Sequence, residues 1–460
     1  MKNYEQYIKY LSEKDTQSIS VFVGAGLSKA CGMPDWGELV KPYAERLGLK
    51  KTNIPYTRIM QYALQGKAEY SLFIEQLKIL CEKCRPQPVH RLIARLDLPR
   101  IWTTNYDGLI ESAYDDECLD YQVVANDDDI YSLNHSTSQI IKMHGSLTAK
   151  KETDIVLLEG EYENYILYRK GIYELLLNDV KTKSMIYLGF SFDDPNIRRI
   201  VSCVWSQKGT GIPSFLLTVP PHERSKKEYY RHWKSDLERY NICVLELTDY
   251  SEISTFLYRL LESRYGKTCL ILGKRDDCDY NDLSYAIGYK LARAGYRIHS
   301  GGGPNIANAV ARGAWEYLEE NDIPIDDKVV YYYRYNGGST NPAKGQIFYC
   351  GTDRTEVRKR MITSDKICIL IGDEQPMEKG IKEEIQIAHT KGARIIPVGC
   401  TGKLAQSTWE TEKYNYSSTG AFKEKTAAYE ILNLDSASNE QIADAVVELA
   451  DYLLVRSYEH

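Results

Sequence analysis

Short apolar runs separated by longer amphipathic stretches give the chain the rhythm of a parallel α/β protein. Residues 19–23, 100–102 and 139–142 read as buried strands, and 185–188, 215–219 and 242–247 continue the series. Between the later runs lie helical patterns over 196–205, a polar one over about 222–240, and one over 252–263. Two more helical patterns, 56–64 and 69–79, fit either a lid or packed helices. At Arg264-Tyr265-Gly266-Lys267 the rhythm restarts, with 269–272 as a new first strand ending in Gly273. A helix over 282–294, a strand over 296–300, a helix reaching toward Leu318 and a strand over 367–371 follow. The run Tyr331-Tyr332-Tyr333-Arg334-Tyr335 suits a strand packed on both faces better than a stacking surface. The pattern predicts an α/β fold of two Rossmann-like, doubly wound parallel-sheet domains in tandem, residues 1–265 and 266–460, joined by a very short linker.

Composition narrows the class. At 460 residues, 43% hydrophobic and 27% charged, the chain can bury two ordinary cores. A net charge of −6 offers no general attraction to nucleic acid, which is not expected as a partner. The N-terminus, with Lys2, Glu5, Lys9, Glu13 and Lys14, lacks a signal peptide's apolar core, and no run reaches the length of a membrane span. A cytoplasmic protein with no membrane contact is expected. Eleven scattered cysteines fit reduced thiols, and 37 tyrosines against 8 phenylalanines suit subunit contacts and base stacking.

Three segments carry candidate chemistry: Gly24-Ala25-Gly26-Leu27-Ser28, Thr103-Thr104-Asn105-Tyr106-Asp107 and Met143-His144-Gly145. Each follows a predicted strand, so all three sit at the carboxyl edge of one sheet, where ligands bind in open α/β folds. The glycines fit a backbone approaching a pyrophosphate, and equally a turn shaped by packing alone. Asn105 fits a helix cap as well as a ligand contact, and His144 fits a hydrogen-bonded core histidine as well as a base.

Taken in order, Gly24, Ala25, Gly26 and Ser28 followed by Gly32, Met33, Pro34 and Asp35 resemble the sirtuin signature G-A-G-x-S-x-x-x-G-I-P-D. Thr103 to Asp107 resembles the sirtuin T-Q-N-x-D, His144-Gly145 its H-G, and Gly189-Phe190-Ser191 with Pro195 its G-T-S-x-x-x-x-P. The resemblance implies NAD+ as substrate. It implies that Asn105 holds the ribose and the attacking water, that Asp107 places the nicotinamide end and that His144 acts as the base. Gly24, Ala25, Gly26, Ser28, Asp35, Gly189 and Ser191 would line the dinucleotide. Deacylating sirtuins follow the histidine with two C-x-x-C pairs that bind zinc. This chain has no cysteine between Cys118 and Cys203, and its one C-x-x-C, Cys81 and Cys84, lies upstream without a partner pair. No metal is therefore expected, and water is the expected acceptor. A protein deacylase, or a scaffold that binds NAD+ without cleaving it, are the alternatives.

In the second half, Gly301-Gly302-Gly303-Pro304 joins a strand to a helix N-terminus and is a phosphate-binding candidate. Arg354 and Arg358 begin a helix, and Met377-Glu378-Lys379-Gly380-Ile381-Lys382-Glu383-Glu384 opens the next. This arrangement resembles the SLOG superfamily, whose phosphoribohydrolase relatives carry G-G-x-G-T-x-x-E; Gly380 and Glu384 match, while Met377, Glu378 and Ile381 depart from it. The departures argue against a second enzyme and for a sensor. In that reading Gly301, Gly302 and Gly303 cradle a phosphate, Arg354 or Arg358 and Lys379 pair with phosphate charge, and Glu384 accepts from ribose hydroxyls.

A sirtuin-like domain followed by a SLOG domain resembles the NAD-hydrolase effectors of the bacterial Thoeris anti-phage system. That resemblance implies a TIR-domain cyclase as functional partner and a cyclic ADP-ribose isomer as activating ligand of the SLOG domain. It also implies NAD+ depletion as the outcome, and a homo-tetramer or larger assembly.

Overall fold

The apolar runs become strands because they are largely buried, as β1 (Ile19–Val23) shows with all five residues enclosed. The computed structural model describes residues 4–49, 54–134, 136–148, 151–192, 194–208, 212–273, 279–326, 328–335, 342, 344–372, 380–418 and 425–455. Two compact units divide the chain. The first comprises Met1–Asp115 with Leu119–Ile253, the second Asp116–Cys118 with Ser254–His460.

In the first unit β1 is followed by β2 (Arg100–Thr103), β3 (Tyr121–Val124) and β4 (Ser138–Lys142). A short antiparallel hairpin of β5 (Leu147–Thr148) and β6 (Lys151–Glu152) comes next, then β7 (Ser184–Leu188), β8 (Ser214–Thr218) and β9 (Ile242–Glu246). Seven of these form one sheet in the order β3-β4-β2-β1-β7-β8-β9. Every pairing in it is parallel. Register then fixes the site: Val23 stands beside Thr103 and Leu188, and Thr103 beside Lys142. The residues that follow these four adjacent strands therefore emerge level with one another.

Two apolar cores support that edge. One lies between sheet and helices and is built on Phe22, Trp102, Ile141, Met185 and Leu216. Beneath it the fully buried Asp179 accepts from the Trp102 indole N–H at 3.0 Å and pairs with Arg100 at 2.7 Å, so its charge is compensated. The other core joins helices Trp36–Arg46, Tyr56–Ala63 and Lys67–Lys83 through Val40, Ile59, Met60, Phe73 and Leu77, and includes Tyr106, Leu147 and Leu157. The segments that fitted either a lid or packed helices are packed: they enclose the tyrosine next to Asn105.

The second unit holds β10 (Thr268–Gly273), β11 (Arg297–Ser300), β12 (Val329–Tyr333), β13 (Gln346–Tyr349), β14 (Ile367–Ile371) and β15 (Arg394–Pro397). They form a parallel sheet in the order β13-β12-β11-β10-β14-β15. The tyrosine run forms β12 as a strand, with Tyr331 and Tyr333 buried on one face and Tyr332 against His299 on the other. Asn336, Gly337 and Gly338 beyond it lie outside the described residues. In both units the chain order reverses around the first strand, which places a crevice at the carboxyl ends.

Candidate active site

Four segments converge at the carboxyl edge of β4, β2, β1 and β7. Gly24 ends β1 and caps the short helix Ala25–Lys29, and the loop after β7 lies directly on it. The Gly24 N–H donates to the Leu188 carbonyl and the Gly26 N–H to that of Gly189, both at 2.9 Å. A Cβ at Gly24 would stand 2.3 Å from the Gly189 oxygen, and one at Gly26 would stand 2.9 Å from it. Close approach of two backbones explains these glycines, and two of the turn's N–H groups are already spent inside the protein. Ala25 and Gly26 remain exposed at the edge.

From this turn Ser28 reaches inward. Its hydroxyl donates to Asp107 Oδ2 at 2.6 Å and receives the Asn105 amide at 2.8 Å, while the same amide donates to the Gly24 carbonyl at 3.1 Å. Asp107 Oδ1 accepts from the Leu109 N–H at 3.1 Å, opening the helix Leu109–Glu117. Thr103, whose hydroxyl donates to the Val23 carbonyl, also receives the Asn105 N–H, so side chain and backbone of Asn105 are both fixed. Behind them the fully buried Lys142 donates to the Tyr106 and Asp107 carbonyls and pairs with Glu111 at 2.8 Å. This buried ion pair, invisible in the apolar pattern, locks the loop that carries Asn105.

His144 leaves β4 beside this cluster. Its carbonyl accepts from the Val156 N–H at 2.9 Å, and the Tyr165 hydroxyl donates to the Met143 carbonyl at 3.1 Å. The ring is 3% exposed; Nδ1 stands 3.4 Å from the Tyr162 hydroxyl and Nε2 stands 3.1 Å from Asp194 Oδ2. The carboxylate is within ion-pair distance yet out of line for a directed N–H···O bond. Burial opposes ionisation of Asp194, but the proximity of the His144 ring and the N–H groups of Ile197 and Asn196 outweigh it, holding the carboxyl below its ordinary value. Burial, followed by neighbours that include Asp194, pushes the Tyr162 phenol well above its ordinary value, so it stays protonated.

Of the other expected residues, Gly189 (φ 60°) makes the close approach to Gly26, and Ser191 is exposed in the same loop. Asp35 stands apart from the polar cluster in its contacts. It caps the helix Trp36–Arg46 by accepting from the Glu38 N–H, and it pairs with Lys29 at 2.6 Å. Asp194 and Lys142 were not singled out from the sequence. Asp194 caps the helix that follows it, accepting from the Asn196 and Ile197 N–H groups. Among the described residues, no three His, Cys, Asp or Glu side chains are grouped to hold a metal ion, and no helix is long and apolar enough to cross a membrane. Cys81 and Cys84 are buried free thiols.

At the second sheet's edge the triglycine turn is shaped first by packing. Gly302 has φ 69°, and a Cβ there would lie 2.2 Å from the Tyr333 ring. Gly301 is exposed and Gly303 half-buried. Arg358, not Arg354, faces the opening of the helix Gly380–Lys391. It pairs with Glu383 at 2.5 Å and with Glu384 at 3.2 Å, and its guanidinium would stand 2.5 Å from a Cβ at Gly380. Arg354 is exposed on the first turn of helix Arg354–Met361. Lys379, with Met377 and Glu378, lies outside the described residues.

Comparison with known proteins places these two sheets. Residues 99–245 match the SIR2-like domain family, and residues 266–453 match the Sir2- and TIR-associating SLOG family. The chain is 27% identical over 480 residues to NAD(+) hydrolase ThsA of Bacillus cereus (strain MSX-D12), covering 98% of both chains. Along nearly its whole length the chain is similar to ThsA-type proteins. NAD(+) hydrolase ThsA of Enterococcus faecium is 26% identical to this chain over 481 residues, covering 95% of it and 97% of the relative. Defense-associated sirtuin 2 of Bacillus subtilis is 30% identical over 241 residues, half of this chain and 24% of that one. The SIR2-like match spans the loops of Asn105, His144 and Gly189, and the Gly24 turn precedes it.

Proposed function

We infer that the first unit cleaves NAD+ to nicotinamide and ADP-ribose with water as acceptor, and that the second regulates it. The observation that carries this reading is the meeting of Asn105, Ser28, Asp107 and His144 on four adjacent strand ends. Breaking the bond from ribose C1′ to nicotinamide develops oxocarbenium character, and the site needs neutral and anionic groups that orient the ribose and a nucleophile. Asn105 supplies a fixed amide, Asp107 an anion whose second oxygen is tied to the Leu109 N–H, and His144 a base beside the ribose hydroxyls. The near full-length similarity to proteins named NAD(+) hydrolase supports the reaction.

The regulatory half rests on the second sheet's edge. A cyclic ADP-ribose isomer made by a TIR-domain cyclase is the ligand this reading assigns to it. Gly301 to Gly303 would face one phosphate, Arg358 would turn from Glu383 and Glu384 toward phosphate charge, and Glu384 would be released to the ribose hydroxyls. Moving a resting population from 1:99 to 99:1 takes about 5.5 kcal/mol of differential affinity, and rearrangement within a homo-tetramer or larger cytoplasmic assembly is the proposed source of that leverage.

Chromatography of NAD+ incubated with the purified chain and cyclic ADP-ribose isomers tests the reaction. Nicotinamide and free ADP-ribose in equal amounts are expected. Nicotinamide formed only together with a deacylated acetyl-lysine peptide would replace the hydrolase with the deacylase reading.

A further inference from the structure

Asp194 makes a contact to which the roles given above assign no task. It stands just past Phe192, a bulky buried residue whose backbone is left-handed, with φ 62°. Such a conformation is costly for a side chain of this size and persists where the surroundings over-determine it. Here they do: the Phe192 ring packs 4.7 Å from Tyr187 and 5.0 Å from Phe190, in the loop that lies on the Gly24 turn.

The strained turn delivers one carboxylate to two tasks. Oδ1 accepts from the N–H groups of Asn196 at 2.8 Å and Ile197 at 3.2 Å, capping the 14-residue helix Pro195–Lys208. Oδ2 is thereby left 3.1 Å from His144 Nε2. A cap alone needs only the first oxygen. We propose that Asp194 is the positioning residue of His144 in NAD+ cleavage, orienting the imidazole and stabilising it when it takes up a proton. This rests on the reading of His144 as the base.

The groups facing the imidazole make the assignment specific. Tyr162 and Tyr165 approach it edge-on, with ring centroids at 5.0 and 6.1 Å, and the Tyr162 hydroxyl stands at Nδ1. Burial keeps both phenols protonated, and Asp194 brings a carboxylate to the ring. A carboxylate facing Nε2 selects the tautomer with hydrogen there, which leaves Nδ1, on the Tyr162 side, as the nitrogen that takes up the proton. The off-line geometry is that of a substrate-free site, where catalytic hydrogen bonds commonly tighten only when substrate is bound.

Asp194→Asn separates the two tasks, because asparagine caps helices as well as aspartate does but brings no charge. In the full chain, the pH profile of kcat and the titration of the His144 ring in 13C-histidine-labelled protein are measured for wild type and variant. The expected result is a fall in kcat of roughly 10⁴-fold, the scale on which an amide in place of the carboxylate that orients a reacting imidazole leaves the wrong tautomer, with the NAD+ KM little changed. The acid limb of the profile and the His144 titration should both move to lower pH, since removing the anion disfavours the imidazolium. Asp194→Ala, which also loses the cap, should add a drop in melting temperature. A kcat profile and a His144 titration in Asp194→Asn equal to wild type would overturn the proposal. If His144→Ala itself kept full activity, the base reading would fall and the assignment with it, whereas loss of activity in His144→Ala beside a wild-type Asp194→Asn condemns only the role of Asp194.

Discussion

Each polar side chain at the candidate site is held by a partner from another strand. Asn105 bonds to the Gly24 carbonyl and Ser28 hydroxyl, Ser28 to Asp107, and Lys142 to the carbonyls beneath them. That wiring was legible only in part. The residue types and their order along the chain pointed to Asn105 and His144. The pairing of Lys142 with Glu111 was not legible, because Lys142 ends an apolar run and its partner lies on the helix after β2. Asp194 was missed for a related reason: its contact with His144 exists only once β4 and the loop after β7 have come together. His90 gives a residue-scale prediction. It is buried at the start of helix Pro88–Arg95, where burial lowers its pKa from 6.5 to about 4 despite the opposing pull of Asp107 and the Gln87 backbone. A depressed histidine contributes stability that is present above about pH 6.5 and is lost as the pH falls toward 4. The melting temperature of the wild type should therefore fall more steeply between pH 7 and pH 5 than that of His90→Gln. Parallel slopes, recorded by calorimetry, would show that His90 does not govern the acid limb.

Strands and helices were read more easily than their pairing. Buried runs such as Ile19–Val23 and Ile367–Ile371 are apolar from end to end, and periodicity marks them. The edge strand Gln346–Tyr349 is mostly exposed and left no such mark. Glycine was legible as a signal and ambiguous as to cause. At the Gly24 turn the cause is contact between the loops after β1 and β7, so Gly24→Ala forces a Cβ against the Gly189 carbonyl. Overpacking of this kind costs roughly 1–3 kcal/mol. A lowered melting temperature is expected together with weakened NAD+ binding, because the turn and the Asn105 amide share the Gly24 carbonyl. Unchanged NAD+ affinity by calorimetric titration would detach the turn from the substrate site.

Across the whole molecule, two parallel sheets present their carboxyl edges with unlike chemistry. The first gathers an amide, a hydroxyl, a carboxylate and an imidazole; the second gathers glycines and the Arg358–Glu384 pair. The sequence distinguished these edges through its motifs, and the two units match a SIR2-like and a SLOG family in turn. If the second edge is the sensor, Glu384→Ala should remove the response of NAD+ cleavage to a cyclic ADP-ribose isomer while NAD+ affinity and melting temperature stay close to wild type. Arg358 would keep its Glu383 partner in that variant, which limits structural damage. Signal-dependent turnover equal to wild type would place the sensor elsewhere. The most direct test of the central claim is nicotinamide release from NAD+ by the purified chain, with and without cyclic ADP-ribose isomers, alongside Asn105→Ala. The account predicts release that requires an isomer and falls by at least roughly 100-fold in Asn105→Ala, the scale of losing one preorganised polar contact to the reacting centre. Release that persists undiminished in Asn105→Ala, or no release from the wild type under any of these conditions, would contradict it.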